Sequence, residues 1–384
     1  MRPGERLIGL DLMRSIAVLL VMVSHYTDVF SYWLGVHAPG ALLLAGGPGV
    51  DLFFGLSGFL IGGILLDIIA EGGGGRALLR FWVRRWMRTL PIYWLWLCVL
   101  MVFFPPARHP LAHFLQFATM TQNLTRPMPE DFGFAVSWSL PIEEWFYFLF
   151  GGAVVFAALV FGPRRGVFLT LALFLLLPFL ARVFDHLIPL LDGEHFKMVP
   201  YRLDEIAYGV VVAALARANS PIIRYRRVLL CLGLCLLGGD RLLQWLHTTV
   251  VSVAVYSAVQ PTAEILGPVL CLPAAIALTR LPPVLAWLAR TISRQSYALY
   301  LVHLTLLIDV VQAYWWHHRA MTVPAMIAAV ILPFLVAELL SRFVEQPIMR
   351  LRPAQFTTTR QPRVGARSAE DAPLGWTLET GPRT

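Results

Sequence analysis

Charged side chains are scarce in this chain: Asp, Glu, Lys and Arg make up only 14% of its 384 residues, against about a quarter in ordinary soluble domains. That shortage excludes a freely soluble globular protein, and a hydrophobic content of 58% takes its place. Cysteine is sparse too. Cys98, Cys231, Cys235 and Cys271 all fall in or beside apolar runs, with neither a disulfide framework nor metal-ligand spacing. No metal is expected, and the shared helical face of Cys231 and Cys235 reads as packing. A cleavable leader is missing as well: the first apolar run has no small-residue cleavage site and carries Asp11 and Arg14, so it is expected to stay as an anchor. No inverted repeat of the kind many carriers use is visible, which weighs against transport.

Long apolar runs are what the chain does have. A stretch of about 20 residues crosses a hydrocarbon core of about 30 Å as a helix, and about ten such stretches occur. They lie near Leu7–Tyr26, Val50–Ile69, Leu90–Phe104, Ile142–Phe161, Gly166–Phe184, Tyr201–Ala216, Val228–Leu246, Ala263–Leu278, Gln295–Trp315 and Met321–Phe343. The expected fold is therefore an all-α, polytopic transmembrane bundle over residues 1–350. The stretch 351–384 is rich in Pro, Thr, Arg and Gly and reads as a disordered cytoplasmic tail.

Arginines test the topology, because short cytoplasmic loops collect basic residues. Arg76 to Arg88 follow the second run, Arg164 and Arg165 the fourth, Arg217 to Arg227 the sixth, and Arg280 to Arg294 the eighth. Both termini are thereby expected in the cytoplasm, with longer outer loops at 105–140, 185–200 and 247–262. The net charge of +8 is accounted for by topology and anionic membrane lipid, so no nucleic-acid partner is called for.

Ionisable groups inside spans are costly and demand a partner or a purpose. Asp11 and Arg14 are three apart and can pair on one helical face. His25 lies eleven residues beyond Arg14, about 16 Å along the same stripe, at the outer end of the first span. A neutral imidazole there is suited to take a proton from an alcohol attacking a thioester; a satisfied packing histidine is the alternative. Ser137 to Tyr147 places Glu143 and Glu144 at the outer mouth of the fourth span, where a carboxylate and His25 are expected to meet. The same carboxylates also suit an ordinary helix start after Pro141. Arg80, Arg84, Arg85 and Arg88 recur at helical spacing among Phe81, Trp82 and Trp86. Two readings stand side by side here, a helix lying on the lipid surface and a clamp for phosphates. His303 sits deep in the ninth span and needs a polar cavity or a structural hydrogen bond.

Taken in order, these segments resemble the acyltransferase-3 family of membrane acyltransferases, which includes O-antigen and exopolysaccharide O-acetylases and macrolide acyltransferases. The matching pieces are Leu10 to Arg14 with His25, Gly49 to Leu60 with Asp51 and Ser57, Arg80 to Pro91, and Trp138 to Tyr147. Arg202 to Gly209 with Asp204, Tyr297 to His303, and Val344 to Pro347 complete the set. Trp145 stands where the family often has Gln, and Thr305 where a proline commonly follows the histidine. The resemblance implies that His25 is catalytic with Glu143 in support, and that Arg14, Arg80, Arg84, Arg85 and Arg88 serve acyl-CoA. Asp51, Ser57, Glu144, Tyr147, Arg202, Asp204 and His303 are implied substrate or support residues. It further implies a multi-pass protein of a bacterial inner membrane, with acetyl-CoA as donor. The acceptor would be a hydroxyl of a glycan, lipid-linked sugar or glycosylated small molecule. A transporter or flippase of a glycan or lipid-linked substrate is the rival reading, with the buried charges as pathway residues.

Overall fold

The computed structural model describes residues 7–124, 129, 134–187, 197–250 and 253–353. Ten long helices fill it, each built on one of the apolar runs: α1 (Ile8–Leu34), α2 (Gly46–Ala70), α3 (Gly75–Phe103), α4 (Ser139–Phe161), α5 (Pro163–Leu187), α6 (Val199–Arg217), α7 (Arg226–Val250), α8 (Val253–Ala277), α9 (Pro283–Thr305) and α10 (Thr322–Leu340). Among the described residues, eight helical stretches are long and apolar enough to cross a membrane. A ninth is added if Val199–Arg217 and Pro221–Gly239, bent by 106° at their junction, form one span. The all-α polytopic fold is as expected. The count falls short of ten because the sixth and seventh apolar runs fold as that bent pair.

Four other expectations are corrected. α1 continues past Tyr26 to Leu34, where Gly35 adopts a left-handed φ of 65° and ends it, so His25 lies within the helix and not at its end. The Arg80–Arg88 stretch is no separate surface helix, because α3 runs unbroken from Gly75 through Pro91 to Phe103. The expected outer loop at 247–262 is largely helical, since α8 starts at Val253. Cys231 and Cys235 are exposed on the outside of the bundle, which removes the packing role given to them. The tail from 354 onward lies outside the described residues.

Without a hydrophobic drive between helices in lipid, close association depends on small residues that let backbones approach. α2 shows this on its partner α6. A Cβ on Gly58 would stand 1.9 Å from the Ile206 carbonyl oxygen, and one on Gly209 would stand 2.3 Å from that of Gly55. α1 packs against both α2 and α9, α4 against α5, and α7 against α8. Two buried ion pairs hold α2, α5 and α6 together. Arg182 of α5 grips Asp204 of α6 through two hydrogen bonds of 3.0 and 2.7 Å, and both side chains are fully buried. Arg202 of α6 pairs with Asp51 of α2 at 3.1 Å and with its own neighbour Glu205.

Candidate active site

The centre of the bundle is polar because four helices turn hydroxyls and charges toward one another. Tyr147 of α4 is the hub. Its hydroxyl donates to Glu143 Oε2 at 2.7 Å and accepts from Arg85 Nη2 of α3 at 3.1 Å. Ser57 of α2 hydrogen-bonds to the same oxygen. The Arg85 guanidinium also lies 4.7 Å from the centre of the Tyr147 ring, a cation over an aromatic face. Beside Glu143 in the chain, Glu144 accepts from Thr89 at 2.8 Å, and Tyr297 of α9 donates to the Thr89 carbonyl at 2.7 Å. Spacing of three and four residues along α3 and α4 puts each of these groups on an inward face.

They enclose a cavity of about 120 Å³ that Arg14, Ser57, Arg85, Arg88, Glu143 and Tyr147 help to line. A wider cavity of about 570 Å³ adjoins it on the side where α1 begins, and Arg14, Leu60 and Arg88 line both. Arg217, Arg294, Asp11 and Glu345 border the wider one. Most of its arginines are engaged: Arg217 with Asp67 at 2.9 Å, Arg294 with Glu338 at 2.9 Å, and Arg14 with Ser293 at 3.2 Å. Ser293 in turn donates to Asp11 at 2.7 Å, so a serine of α9 links the Asp11 and Arg14 side chains of α1. Among the described residues no hydrogen bond or ion pair holds Arg88, which stands at the junction of the two cavities. An open guanidinium there is suited to a phosphate or carboxylate. No three His, Cys, Asp or Glu side chains converge as a metal site among the described residues.

The four arginines of the Arg80–Arg88 stretch therefore part company. Arg85 and Arg88 face the cavities, Arg84 donates to the Pro353 carbonyl, and Arg80 is exposed. Asp51, Arg202 and Asp204 line neither cavity. They stand behind its wall, with the Arg202 guanidinium 5.8 Å from the ring centre of Phe54 and 5.5 Å from that of Trp138.

The expected meeting of His25 with a carboxylate of α4 does not occur. His25 Nδ1 lies 2.9 Å from His303 Nε2, the two rings near-parallel with centroids 5.2 Å apart, while Glu143 is engaged with Tyr147. The reason is depth: α4 starts low enough in the bundle for Glu143 to face Arg85 of α3. Neither histidine lines the cavities. Tyr300 separates them, lining the smaller cavity while its ring centre lies 6.2 Å from that of His303.

Several members of this constellation were not singled out in the sequence. Arg182 had a signal, being a cation inside an apolar run. Tyr297 and Tyr300 lie in the Tyr297 to His303 piece of the resemblance and Thr89 in the Arg80 to Pro91 piece, while Ser293 had no signal beyond its helical register.

Known proteins resemble this chain both as a family and as curated relatives. The profile of a family described as "Acyltransferase domain" matches residues 7–341. Among curated proteins, O-acetyltransferase OatA of Staphylococcus aureus strains NCTC 8325 / PS 47, COL and MRSA252 is similar at 26% identity over 373 residues. The alignment takes in 89% of this chain and 57% of each relative, so the chain spans little more than half their length. No solved structure matches.

Proposed function

This chain belongs to the acyltransferase-domain family, and from that premise we propose that it is a membrane O-acyltransferase using a cytoplasmic acyl-CoA, acetyl-CoA first among them. The acceptor is a hydroxyl on a glycan, a lipid-linked sugar or a glycosylated small molecule. The observation that carries the reading is the pair of adjoining cavities with Arg14 and Arg88 at their junction. Guanidinium groups suit the phosphates of a coenzyme A, and the wide cavity opens beside the start of α1, the face on which the loop arginines gather. By the basic bias of cytoplasmic loops, that face is the inner one, in a bacterial inner membrane. The name of the relatives supports an acetyl group and transfer to oxygen.

In this reading His25 is the general base. It removes the acceptor's proton as the hydroxyl oxygen attacks the thioester carbonyl. The tetrahedral adduct collapses to the ester and expels the coenzyme A thiolate, which takes up the proton. Arg14, Arg85 and Arg88 hold the anionic donor, and Glu143 with Tyr147 keeps Arg85 aimed at the cavity.

The test is acyl transfer by protein reconstituted in lipid, with radiolabelled acetyl-CoA and a bacterial glycan extract. Wild type should place label on glycan, His25→Ala should place none while remaining folded, and Arg88→Ala should need more donor. Undiminished labelling by His25→Ala would remove the base from the scheme.

A further inference from the structure

We propose that His303 is a positioning residue that fixes the tautomer of His25 and leaves His25 Nε2 as the nitrogen that accepts the proton. The inference rests on the reading of His25 as the base and adds to it which nitrogen acts and what orients it.

His303 is fully buried, and its Nδ1 lies 3.0 Å from the Leu299 carbonyl oxygen and 2.9 Å from that of Tyr300. Carbonyl oxygens only accept, so Nδ1 carries the hydrogen. A second hydrogen on Nε2 would make the ring a cation, and among the described residues no carboxylate hydrogen-bonds to it; burial without a counter-charge disfavours that form. His303 Nε2 therefore offers a lone pair. The atom 2.9 Å away, His25 Nδ1, must be the donor, and the remaining lone pair of the pair of rings sits on His25 Nε2.

Three features accompany the arrangement. The rings are inclined by only 15°. The residue next to His25 is anchored separately, since Tyr26 donates to the Ala329 carbonyl of α10 at 3.0 Å. Beyond His303, α9 passes at Leu306 into a wider helical turn that extends to Gln312, a local departure that is frequent at functional sites. Where other enzymes orient a catalytic histidine with a carboxylate, this pair uses a neutral imidazole, which sets the tautomer without stabilising the imidazolium to the same degree.

The experiment uses the full chain in lipid with acetyl-CoA and bacterial glycan extract, comparing wild type, His25→Ala, His303→Leu and His303→Gln. His303→Leu should lower kcat by about 100-fold, within the range for misplacing a general base, with the acetyl-CoA KM little changed. His303→Gln keeps an acceptor for His25 and should recover most of that loss. If His303→Leu works at the wild-type rate while His25→Ala is dead, the positioning role falls and the base reading stands. If His25→Ala is active, the base reading itself falls. Gln and Leu variants equally impaired would also overturn the proposal. A measurement that needs no His303 variant is nitrogen NMR of histidine-labelled protein, with the His25 signals identified from His25→Ala: Nδ1 protonated and Nε2 bare is expected, and the opposite tautomer refutes it.

Discussion

Removing the Asp204 carboxylate is the sharpest test of how the bundle is held together. Arg182 and Asp204 lie fully buried, joined by two parallel hydrogen bonds, with Thr262 at 2.8 Å as a further acceptor for the guanidinium. Asp204→Ala would leave that guanidinium charged and uncompensated in a low-dielectric interior, a loss of about 3–5 kcal/mol. The Thr262 hydroxyl and the Tyr201 carbonyl still accept from it, which favours the lower end. Replacing both partners, as Arg182→Leu with Asp204→Leu, removes the orphaned charge together with the attraction, and such swaps are often neutral or stabilising. Thermal unfolding in detergent, followed by loss of the monodisperse species, reads the difference. The single variant should melt well below wild type and the double variant close to it. A single variant as stable as wild type, or a double variant as weak as the single, would refute the account and return Asp204 to the functional residues.

Gly58→Ala drives a methyl group into the Ile206 carbonyl and should destabilise the α2–α6 contact by about 1–3 kcal/mol; Gly151→Ala, whose Cβ would meet only side chains at 3.3 Å or more, should melt like wild type. Arg88→Ala should raise the acetyl-CoA KM by roughly 10-fold or more, from the loss of a charge-assisted contact of about 1.5–3 kcal/mol, whereas Arg80→Ala, on the exposed side of α3, should change it little; steady-state kinetics on the two variants decides. Tyr147→Phe deletes the hydroxyl shared by Ser57, Arg85 and Glu143 and should lower both activity and melting temperature, since an unsatisfied buried polar group costs about 1–3 kcal/mol.

The spans were legible because the physics of lipid is one-dimensional: an apolar run of sufficient length has few alternatives to a helix. Helix ends were less so. Thr27, Asp28 and Ser31 interrupt the first apolar run after Tyr26, yet α1 continues because tertiary contacts cover Val29 and Trp33. The site was half legible. Arg14, Ser57, Arg85, Arg88, Glu143 and Tyr147 do converge on one cavity, and helical register within α3 and α4 accounts for their shared faces. The partner of His25 was not readable, because it depends on how deep α4 begins, which no local pattern encodes. Asp51 and Asp204 stand out in the sequence as buried charges, which are conspicuous whether they face a cavity or, as here, an arginine.

A bundle hollowed from one face invites a leak, and the guanidinium groups of Arg14, Arg85 and Arg88 bear on that directly. All three border the narrow cavity, with Glu143 as the acidic side chain among its lining. A constriction with a surplus of fixed positive charge raises the electrostatic barrier to sodium, potassium and hydronium, as arginines do in selective pores. On the proposed reading, the same arginines that suit an anionic donor also disfavour cations in the cavity.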